Sequence, residues 1–544
     1  MTEEEFGRLA KQGKGCRELE PFRVDNAVIM AAGMGSRFAP LSYVKPKGLW
    51  QVKGEILIER QIRQLQEAGI KNIIVVVGYM KEQFFYLEEK FGVRLVINND
   101  YYRYNNTSSL MAVKDFLANT YVCSSDNYFS ENVFSEYVFD SFYAAEYAEG
   151  ETKEYCLKTD DDDVITGVEI GGADAWYMIG HAYFSREFSR KFCDLLEKEY
   201  YKEKVKNELW ENFYRDYIDR LPMHIKRYRR GIIYEFDSLE ELREFDSTYI
   251  SNTGIPIMEN ICKVLSCEER DITNIEVLKQ GMTNLSFVFT CMGKRYVYRH
   301  PGKGTEIYIS RESEAFSMQA AKQLGLDRSF LYMDPEEGWK ISRFIEGAVT
   351  LDYNNRVQVK LALQLLRRLH GAKLHSLHDF DNWQTTLASV KELQAGYSLP
   401  VDFSSMLENN RRLYACMSED GEERQLCHVD TLSGNFLFSP DGSVDLIDWE
   451  YSGNDDPGND IGTFICCSPY DYKQALEVIE LYLGRKPEKK ELRHYIGCTA
   501  MCSFCWYVWA IYQEKLGKPV GEYLYLWYKY SKMYTEKALQ LYEQ

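Results

Sequence analysis

Between Asn26 and Cys123, short apolar runs alternate with amphipathic ones. Asn26–Met30 and Asn72–Val77 are strand-length apolar runs, and Val93–Ile97 and Thr120–Cys123 are shorter ones. Glu55–Ala68 repeats apolar residues at helical spacing (Ile58, Ile62, Leu65) and closes at Gly69. Met80–Phe91 and Asn106–Leu117 read as two further helices, the second with Thr107 or Ser108 near its cap. This alternation predicts a doubly wound, Rossmann-like α/β domain over residues 25–246, with its ligand at the carboxyl ends of the strands. Gly231–Ser238 is a strand that ends in Asp237, just before a helix over Leu239–Phe245. Residues 1–24 form a polar arm with no assigned role.

The pattern changes after that helix. Ser247–Ile255 is rich in Ser, Asn, Thr and Gly, with Pro256 just beyond, so residues 247–258 are taken as a linker and 259–544 as a second domain. A short helix over Glu259–Leu265 opens it. Ile275–Leu278 and Leu285–Thr290 flank Lys-Gln-Gly-Met-Thr-Asn as two strands, and Tyr296–Arg299 and Ile341–Gly347 are two more. Ile309–Leu324 and Val357–Ala372 are helices, and the last hundred residues are helical. Phe436–Phe438 and Val444–Ile447 flank Ser-Pro-Asp-Gly as a hairpin. His370 and His375, five apart, fall on different helix faces and form no metal site.

At 544 residues one core is implausible. The net charge of -18 argues against nucleic acid or an anionic membrane as partner. The 14 cysteines lack finger-like spacing, and Cys502-x-x-Cys505 sits in an aromatic helix pattern as buried thiols, which together suggest a reducing cytoplasm. The first 24 residues lack the apolar core of a signal peptide, and no apolar run approaches the ~20 residues of a membrane span.

The chemistry of the second domain concentrates in C-H-V-D-T-L-S-G-N-F-L-F-S-P-D-G-S-V-D-L-I-D-W-E-Y, residues 427–451. Phosphoryl transfer from a nucleotide needs a carboxylate to accept the proton of the attacking hydroxyl. It also needs an amide oxygen and a second carboxylate to hold magnesium. Asp430 is the candidate base, and Asn435 and Asp448 the candidate Mg²⁺ ligands. H-x-D-x-x-x-x-N followed by I-D-W-E-Y resembles the choline/ethanolamine kinase and aminoglycoside phosphotransferase superfamily, with H-V-D where many members have H-N-D. That resemblance implies an α+β, protein-kinase-like two-lobed fold that uses ATP. Arg299 would span the nucleotide phosphates, paired with Glu314 or alternatively Glu312. Ile341–Gly347 would be the hinge between lobes, and Asp460 would brace the loop that carries Asp430. The W-x-x-W of Trp506 and Trp509 corresponds to a wall of the choline site, which Glu450 and Tyr451 would complete.

In the first domain, the strand Asn26–Met30 runs into A-A-G-M-G-S-R, where glycines let backbone N–H groups approach phosphate oxygens and Arg37 adds charge. Lys47, in Lys-Pro-Lys, can neutralise a triphosphate attacked at its α-phosphorus. Asp126, in S-S-D-N at a strand end, and Asp237 are candidate Mg²⁺ ligands. M-A-A-G-M-G-S-R-F-A-P-L…K-P-K-G-L, G-I-K-N-I-I-V-V-V-G-Y and S-S-D-N-Y-F resemble the sugar-1-phosphate-type nucleotidyltransferases, and among them the bacterial CTP:phosphocholine cytidylyltransferases. The resemblance covers roughly residues 25–246. It implies that Ala32, Gly33, Gly35, Arg37 and Lys47 hold CTP, and that a phosphate oxygen attacks in line with release of pyrophosphate. For the quaternary ammonium of the acceptor, Tyr101, Tyr104, Trp176 and Trp210 are the available aromatics. Trp176 and Trp210 are favoured because acidic residues stand near them in sequence. The acidic run Asp160–Asp163 reads as a solvated turn between strands.

Together the two resemblances imply a chain that phosphorylates choline with ATP and then joins phosphocholine to CTP as CDP-choline, with Mg²⁺ at both sites. Three alternatives stand beside this. Ethanolamine or another small amino alcohol could be the substrate, the second half could act on antibiotics, or one half could be a non-catalytic sensor of choline or CDP-choline.

Overall fold

The apolar run Asn26–Ala31 is an inner strand of a seven-stranded sheet in the computed structural model, which describes residues 1–12, 17–278, 284–302, 309–394, 399–421, 423–518 and 520–544. It pairs in parallel with Ile73–Val77 on one side and Thr120–Ser124 on the other, with Ala31 opposite Val77 and Met30 opposite Ser124. Arg94–Ile97 extends the parallel set beyond Ile73–Val77. The chain thus crosses from one side of Asn26–Ala31 to the other, which leaves a crevice at the carboxyl ends of Asn26–Ala31 and Thr120–Ser124. Apolar cores cover both faces. One is built on Ile58, Ile62 and Leu65 of the helix Leu57–Glu67, and the other on Leu110, Phe188, Phe192 and Trp210. The first helix is held to the sheet by more than its apolar stripe: Gln61 Nε2 donates to Ser124 O at 3.0 Å and Gln64 Nε2 to Phe129 O at 3.1 Å.

Two expected helices are shorter than their patterns. Met80–Phe91 is a 3₁₀ turn, Lys81–Phe84, followed by a helix over Tyr86–Phe91. Asn106–Leu117 is a helix over Thr107–Ala112 and a separate turn over Lys114–Phe116. The sheet is completed by an antiparallel pair, Phe142–Thr159 and Ile165–Phe184, and by His224–Arg227 at the edge. Asp160–Asp163 is the turn of that pair, where Asp160 Oδ1 accepts the N–H groups of Asp162 and Val164.

By contacts, the chain divides into two compact units, Met1–Val277 and Leu278–Gln544. Residues 247–277 therefore pack with the first unit. Arg243 ties them down by donating to Ile272 O at 2.6 Å and Glu269 O at 2.8 Å, and Glu269 accepts the Thr253 N–H at 2.7 Å.

The second unit begins with antiparallel strands Asn284–Cys291, Lys294–Pro301, Lys340–Arg343 and Phe330–Met333, in that spatial order, with the helix Arg311–Gln323 between the second and the last in sequence. Most of the Lys-Gln-Gly-Met-Thr-Asn loop lies outside the described residues. The remainder is helical. Arg356–Gly371, Pro457–Cys466, Lys489–Lys515 and Glu522–Tyr542 enclose a large core that includes Cys502. Short paired strands, Phe436–Phe438 with Val444–Leu446 and Gln425–Cys427 with Gly453–Asp455, carry the polar loops. A Rossmann-like α/β fold is thus followed by a protein-kinase-like α+β fold, as the sequence implies. Among the described residues, no helix is long and apolar enough to cross a membrane.

Candidate active sites

The crevice of the first unit is a cavity of about 600 Å³, and Ala32, Gly33, Gly35, Arg37, Lys47, Asp126 and Asp237 all line it. Gly35 makes the turn out of the strand in the left-handed region, at φ 57°, which glycine adopts without strain. The strand Ile233–Glu235 pairs antiparallel with Asn127–Phe129, with Glu235 opposite Asn127. That register brings Asp237, two residues past one end, beside Asp126, one residue before the other. Buried Glu146 secures the arrangement by accepting the Ile233 N–H at 3.0 Å.

Lys47 joins the two carboxylates, with Nζ 2.7 Å from Asp126 Oδ2 and 3.2 Å from Asp237 Oδ1, while Arg37 reaches Asp237 Oδ2 at 2.7 Å. Burial works against the Lys47 charge, but Asp126, Glu235 and Asp237 outweigh it, so its pKa is raised. Glu235 was not legible as a site residue. It stands open to the cavity, yet the protein mass around its carboxyl, and then Asp126, push its pKa up to about 8.

The structure does not bring the two expected tryptophans to this cavity. Trp210 is 1% exposed and belongs to the core, stacked on Tyr143 at 5.4 Å and edge-on to Phe184. Glu211, one of the acidic residues next to Trp210 in sequence, accepts the Tyr143 hydroxyl at 3.0 Å. Trp176 lies on the long hairpin against Tyr147, with Arg227 over its ring at 5.4 Å. The aromatic groups that do line the crevice are Phe38, beneath Lys47, and Tyr101, Tyr102 and Tyr104.

In the second unit, Asp430, Asn435 and Asp448 are set by a tightly held loop. Asp460, fully buried, accepts the N–H groups of His428 at 2.9 Å and Val429 at 2.6 Å, and His370 Nε2 donates to it at 2.9 Å. Val429 sits at φ 72°, a left-handed conformation that is strained for a β-branched residue. The two bonds to Asp460 hold it there. His428 Nε2 donates to Ile447 O at 2.9 Å, and Ile447 N donates to Asn435 O at 2.9 Å, which fixes Asp448 relative to the loop. Asn435 Nδ2 donates to Asp430 Oδ2 at 3.0 Å, so its amide oxygen is turned away from that carboxylate.

Arg299 pairs with Glu314, and its Nη1 lies 3.1 Å from Asp448 and 3.3 Å from Glu450. Glu312, the alternative partner, is exposed beside His378. Lys340, directly opposite Arg299 in the sheet, adds a second cation 3.2 Å from Asp448 and 3.5 Å from Glu314; the sequence reading missed it. Burial, and then Asp448 and Glu450, push the Asp430 carboxyl up to about 8. Burial alone would raise Asp448 as well; Lys340 and Arg299 outweigh it and hold that carboxyl at about 2.

Trp506, Trp509 and Tyr451 line one cavity of about 520 Å³, together with Asp379 and Asp381. The ring of Trp506 stands edge-on to Tyr451 at 5.8 Å and to Trp509 at 5.7 Å. Trp527, which the sequence reading did not single out, joins this cluster 6.0 Å from Trp506. Glu450 is not part of it. Its carboxylate faces Arg299 and accepts from Asn284 Nδ2 at 2.7 Å, which places it in the charge network of Asp448.

The donors gathered at both sites suit a hard divalent cation. Asp126 and Asp237 approach one ammonium from two loops, and Asn435 accepts the backbone N–H of Ile447, the residue before Asp448; all four are oxygen ligands.

Two family models match the chain: "MobA-like NTP transferase domain" over residues 27–147 and "Choline/ethanolamine kinase" over residues 275–499. A choline-phosphate cytidylyltransferase of Streptococcus pneumoniae is 38% identical over 220 residues, 40% of this chain and 96% of that protein. A 2-aminoethylphosphonate cytidylyltransferase of Lancefieldella rimae is 37% identical over 229 residues, 41% of this chain and 93% of its own length. Protein LicA of Haemophilus influenzae is 27% identical over 256 residues, 44% of this chain and 94% of that protein.

Proposed function

We propose, from the premise that this chain belongs to the choline-phosphate cytidylyltransferase family through its first unit and carries a choline/ethanolamine kinase domain in its second, that it makes CDP-choline in two consecutive reactions. The observation that carries the reading is that two separate sets of reactive groups are each gathered on one chain: Lys47 with Asp126 and Asp237, and Asp430 with Asn435 and Asp448.

In the kinase reaction, the choline hydroxyl oxygen bonds to the γ-phosphorus of ATP, the bond from that phosphorus to the bridging oxygen breaks, and the hydroxyl proton passes to Asp430. Asp430 has a raised proton affinity, which suits a base. Arg299, braced by Glu314, steadies the nucleotide phosphates. Asn435 and Asp448 would hold Mg²⁺, which supplies charge neutralisation on the phosphates. Tyr451, Trp506 and Trp509 receive the trimethylammonium group, with Asp379 and Asp381 offsetting its charge.

In the transfer reaction, a phosphocholine oxygen bonds to the α-phosphorus of CTP and pyrophosphate leaves. Ala32, Gly33 and Gly35 present backbone to the triphosphate, Arg37 and Lys47 neutralise it, and Asp126 and Asp237 would hold Mg²⁺. Tyr101, Tyr102 and Tyr104 are the aromatic faces available to the acceptor. We assign the transfer reaction to residues 25–246 and the kinase reaction to 259–544, in the cytoplasm, acting on small molecules with neither nucleic acid nor membrane as partner; the charge of -18 supports the exclusion of those two partners.

A second reading keeps the chemistry and changes the acceptor, because a relative of nearly equal identity is named for 2-aminoethylphosphonate. Steady-state kinetics of each half, run separately, distinguishes them. The kinase is offered choline and ethanolamine with ATP, and the transferase is offered phosphocholine, phosphoethanolamine and 2-aminoethylphosphonate with CTP. The highest kcat/KM for choline and for phosphocholine is expected; a preference for 2-aminoethylphosphonate would replace the acceptor assignment.

A further inference from the structure

Three ligand-type side chains meet in the helical part of the second unit, apart from both sets of reactive groups. His494 and Cys498 are one turn apart on the helix Lys489–Lys515 and so share a face. Asp456 caps the helix Pro457–Cys466, accepting the Gly458 N–H at 2.8 Å. The close approach depends on Gly458, where a Cβ would stand 2.7 Å from Cys498 Sγ and 3.0 Å from Asp456 Oδ1. His494 Nε2 lies 2.7 Å from Asp456 Oδ2 and 3.6 Å from Cys498 Sγ. The three donor atoms all fall within 4.8 Å of one another. On the other edge of the imidazole, Nδ1 is 3.6 Å from the Asp420 carboxylate, which Arg493 holds at 2.5 Å.

We propose that Asp456, His494 and Cys498 form a binding site for a borderline transition-metal ion, zinc foremost. An ordinary His–Asp hydrogen bond accounts for the 2.7 Å contact. It does not account for a thiol directed at the same ring nitrogen, nor for a second carboxylate behind the ring. One oxygen, one nitrogen and one sulfur donor disfavour magnesium and calcium and suit zinc. Asp420 stands where an outer carboxylate orients a metal-bound histidine. The ion takes Nε2, so the ring carries its one proton on Nδ1, facing Asp420, and the thiol proton of Cys498 leaves to solvent. A cavity of about 190 Å³ lined by Asp456, Asn459 and His494 gives a path of entry and room for a water as fourth ligand. The consequence is structural: the ion ties the helix Lys489–Lys515 to the first turn of the helix that carries Asp460, four residues beyond Asp456.

The test uses the full chain, stripped with chelator and titrated with Co²⁺ as the probe. The expected result is a near-ultraviolet thiolate-to-cobalt band that saturates at one equivalent, is displaced by Zn²⁺ and not by Mg²⁺, and is lost in Cys498→Ser. No such band in the wild type, or an equal band in Cys498→Ser, overturns the proposal. Because Cys498 is buried, Asp456→Asn, which keeps a capping oxygen, serves if the serine variant does not fold. It is expected to weaken Co²⁺ affinity by roughly tenfold or more, and unchanged affinity overturns the proposal.

Discussion

Asp460→Asn is the change that most sharply probes how the phosphoryl-transfer loop is held. The carboxylate accepts from His428 N, Val429 N and His370 Nε2, with none of it exposed. An amide of the same shape keeps one acceptor oxygen and turns an NH₂ group toward whichever backbone N–H it no longer serves. Leaving one buried N–H unsatisfied costs about 1–3 kcal/mol, and the remaining bonds lose their charge assistance. The strain at Val429, of order 1–3 kcal/mol, is then no longer restrained by two bonds and relaxes by moving the loop. The unsatisfied N–H and the weakened charged bonds together cost about 3–5 kcal/mol, in line with breaking a buried charged network, and the strain released at Val429 is no part of that loss. At ~2–4 °C per kcal/mol for a domain of this size, the melting transition of the second unit falls by about 6–20 °C. Displacement of Asp430 by even 1 Å lowers the kinase kcat by ~10² or more. Differential scanning calorimetry and an ATP-dependent choline phosphorylation assay below the lowered transition read both quantities. A variant with wild-type melting and wild-type kcat would refute the claim that Asp460 holds the loop in place.

Asp430→Ala is expected to lower phosphorylation by ~10²-fold or more while leaving cytidylyl transfer intact, and Asp126→Ala to do the reverse; loss of both activities in either variant, by paired assays, would count against two independent sites. Trp210→Ala is expected to destabilise the first unit by about 3–5 kcal/mol in urea titration with little effect on the phosphocholine KM, whereas Trp506→Ala raises the choline KM without raising that for ATP. A rise in phosphocholine KM as the main effect of Trp210→Ala would restore that residue to the acceptor pocket. His181 sets a pH dependence: it is 1% exposed among Tyr121, Phe129, Phe134 and Phe142, neither ring nitrogen has a hydrogen-bond partner among the described residues, and burial, then Lys226, holds its pKa well below 6.5. The unfolded chain therefore binds a proton that the folded one does not, so His181 costs nothing above about pH 6.5 and removes up to ~1.4 kcal/mol of stability per pH unit below it. Denaturant midpoints at pH 7 and 5.5 should show a shallower loss in His181→Leu than in the wild type; equal slopes would exclude this role.

The parts of this molecule that the sequence makes legible are those with local physical signals. Ile58, Ile62 and Leu65 recur at helical spacing, and the helix forms over Leu57–Glu67. Unbroken apolar runs at Asn26 and Ile73 become inner parallel strands, because only a sheet covered on both faces tolerates them. Of the long hairpin Phe142–Phe184 only the turn Asp160–Asp163 was legible; the length of its strands was not, since their outer half is polar on both faces and is held mainly by backbone pairing. Site residues followed the same rule. Asp430, Asn435 and Asp448 lie within one short loop-and-hairpin segment, so local spacing placed them together. Lys340 and Glu235 enter their sites through sheet register with distant strands, which spacing along the chain does not encode. Trp210 carries the same side chain whether it faces a ligand or a core. Only the stacked Tyr143 and the neighbouring Phe184 and Phe192 decide that it is core. Glu450, two residues from Asp448, turns to Arg299 because a buried carboxylate needs a cation more than an aromatic pocket needs one more charge.

The central claim is that one chain performs both reactions in sequence, and phosphorus NMR of a single tube tests it most directly. The purified chain is given choline, ATP, CTP and Mg²⁺, with no phosphocholine added. The account predicts that the phosphocholine resonance rises and is then consumed, as the paired resonances of CDP-choline and that of pyrophosphate appear. Phosphocholine that accumulates without CDP-choline, or CTP turnover that occurs only with an acceptor other than phosphocholine, would contradict it.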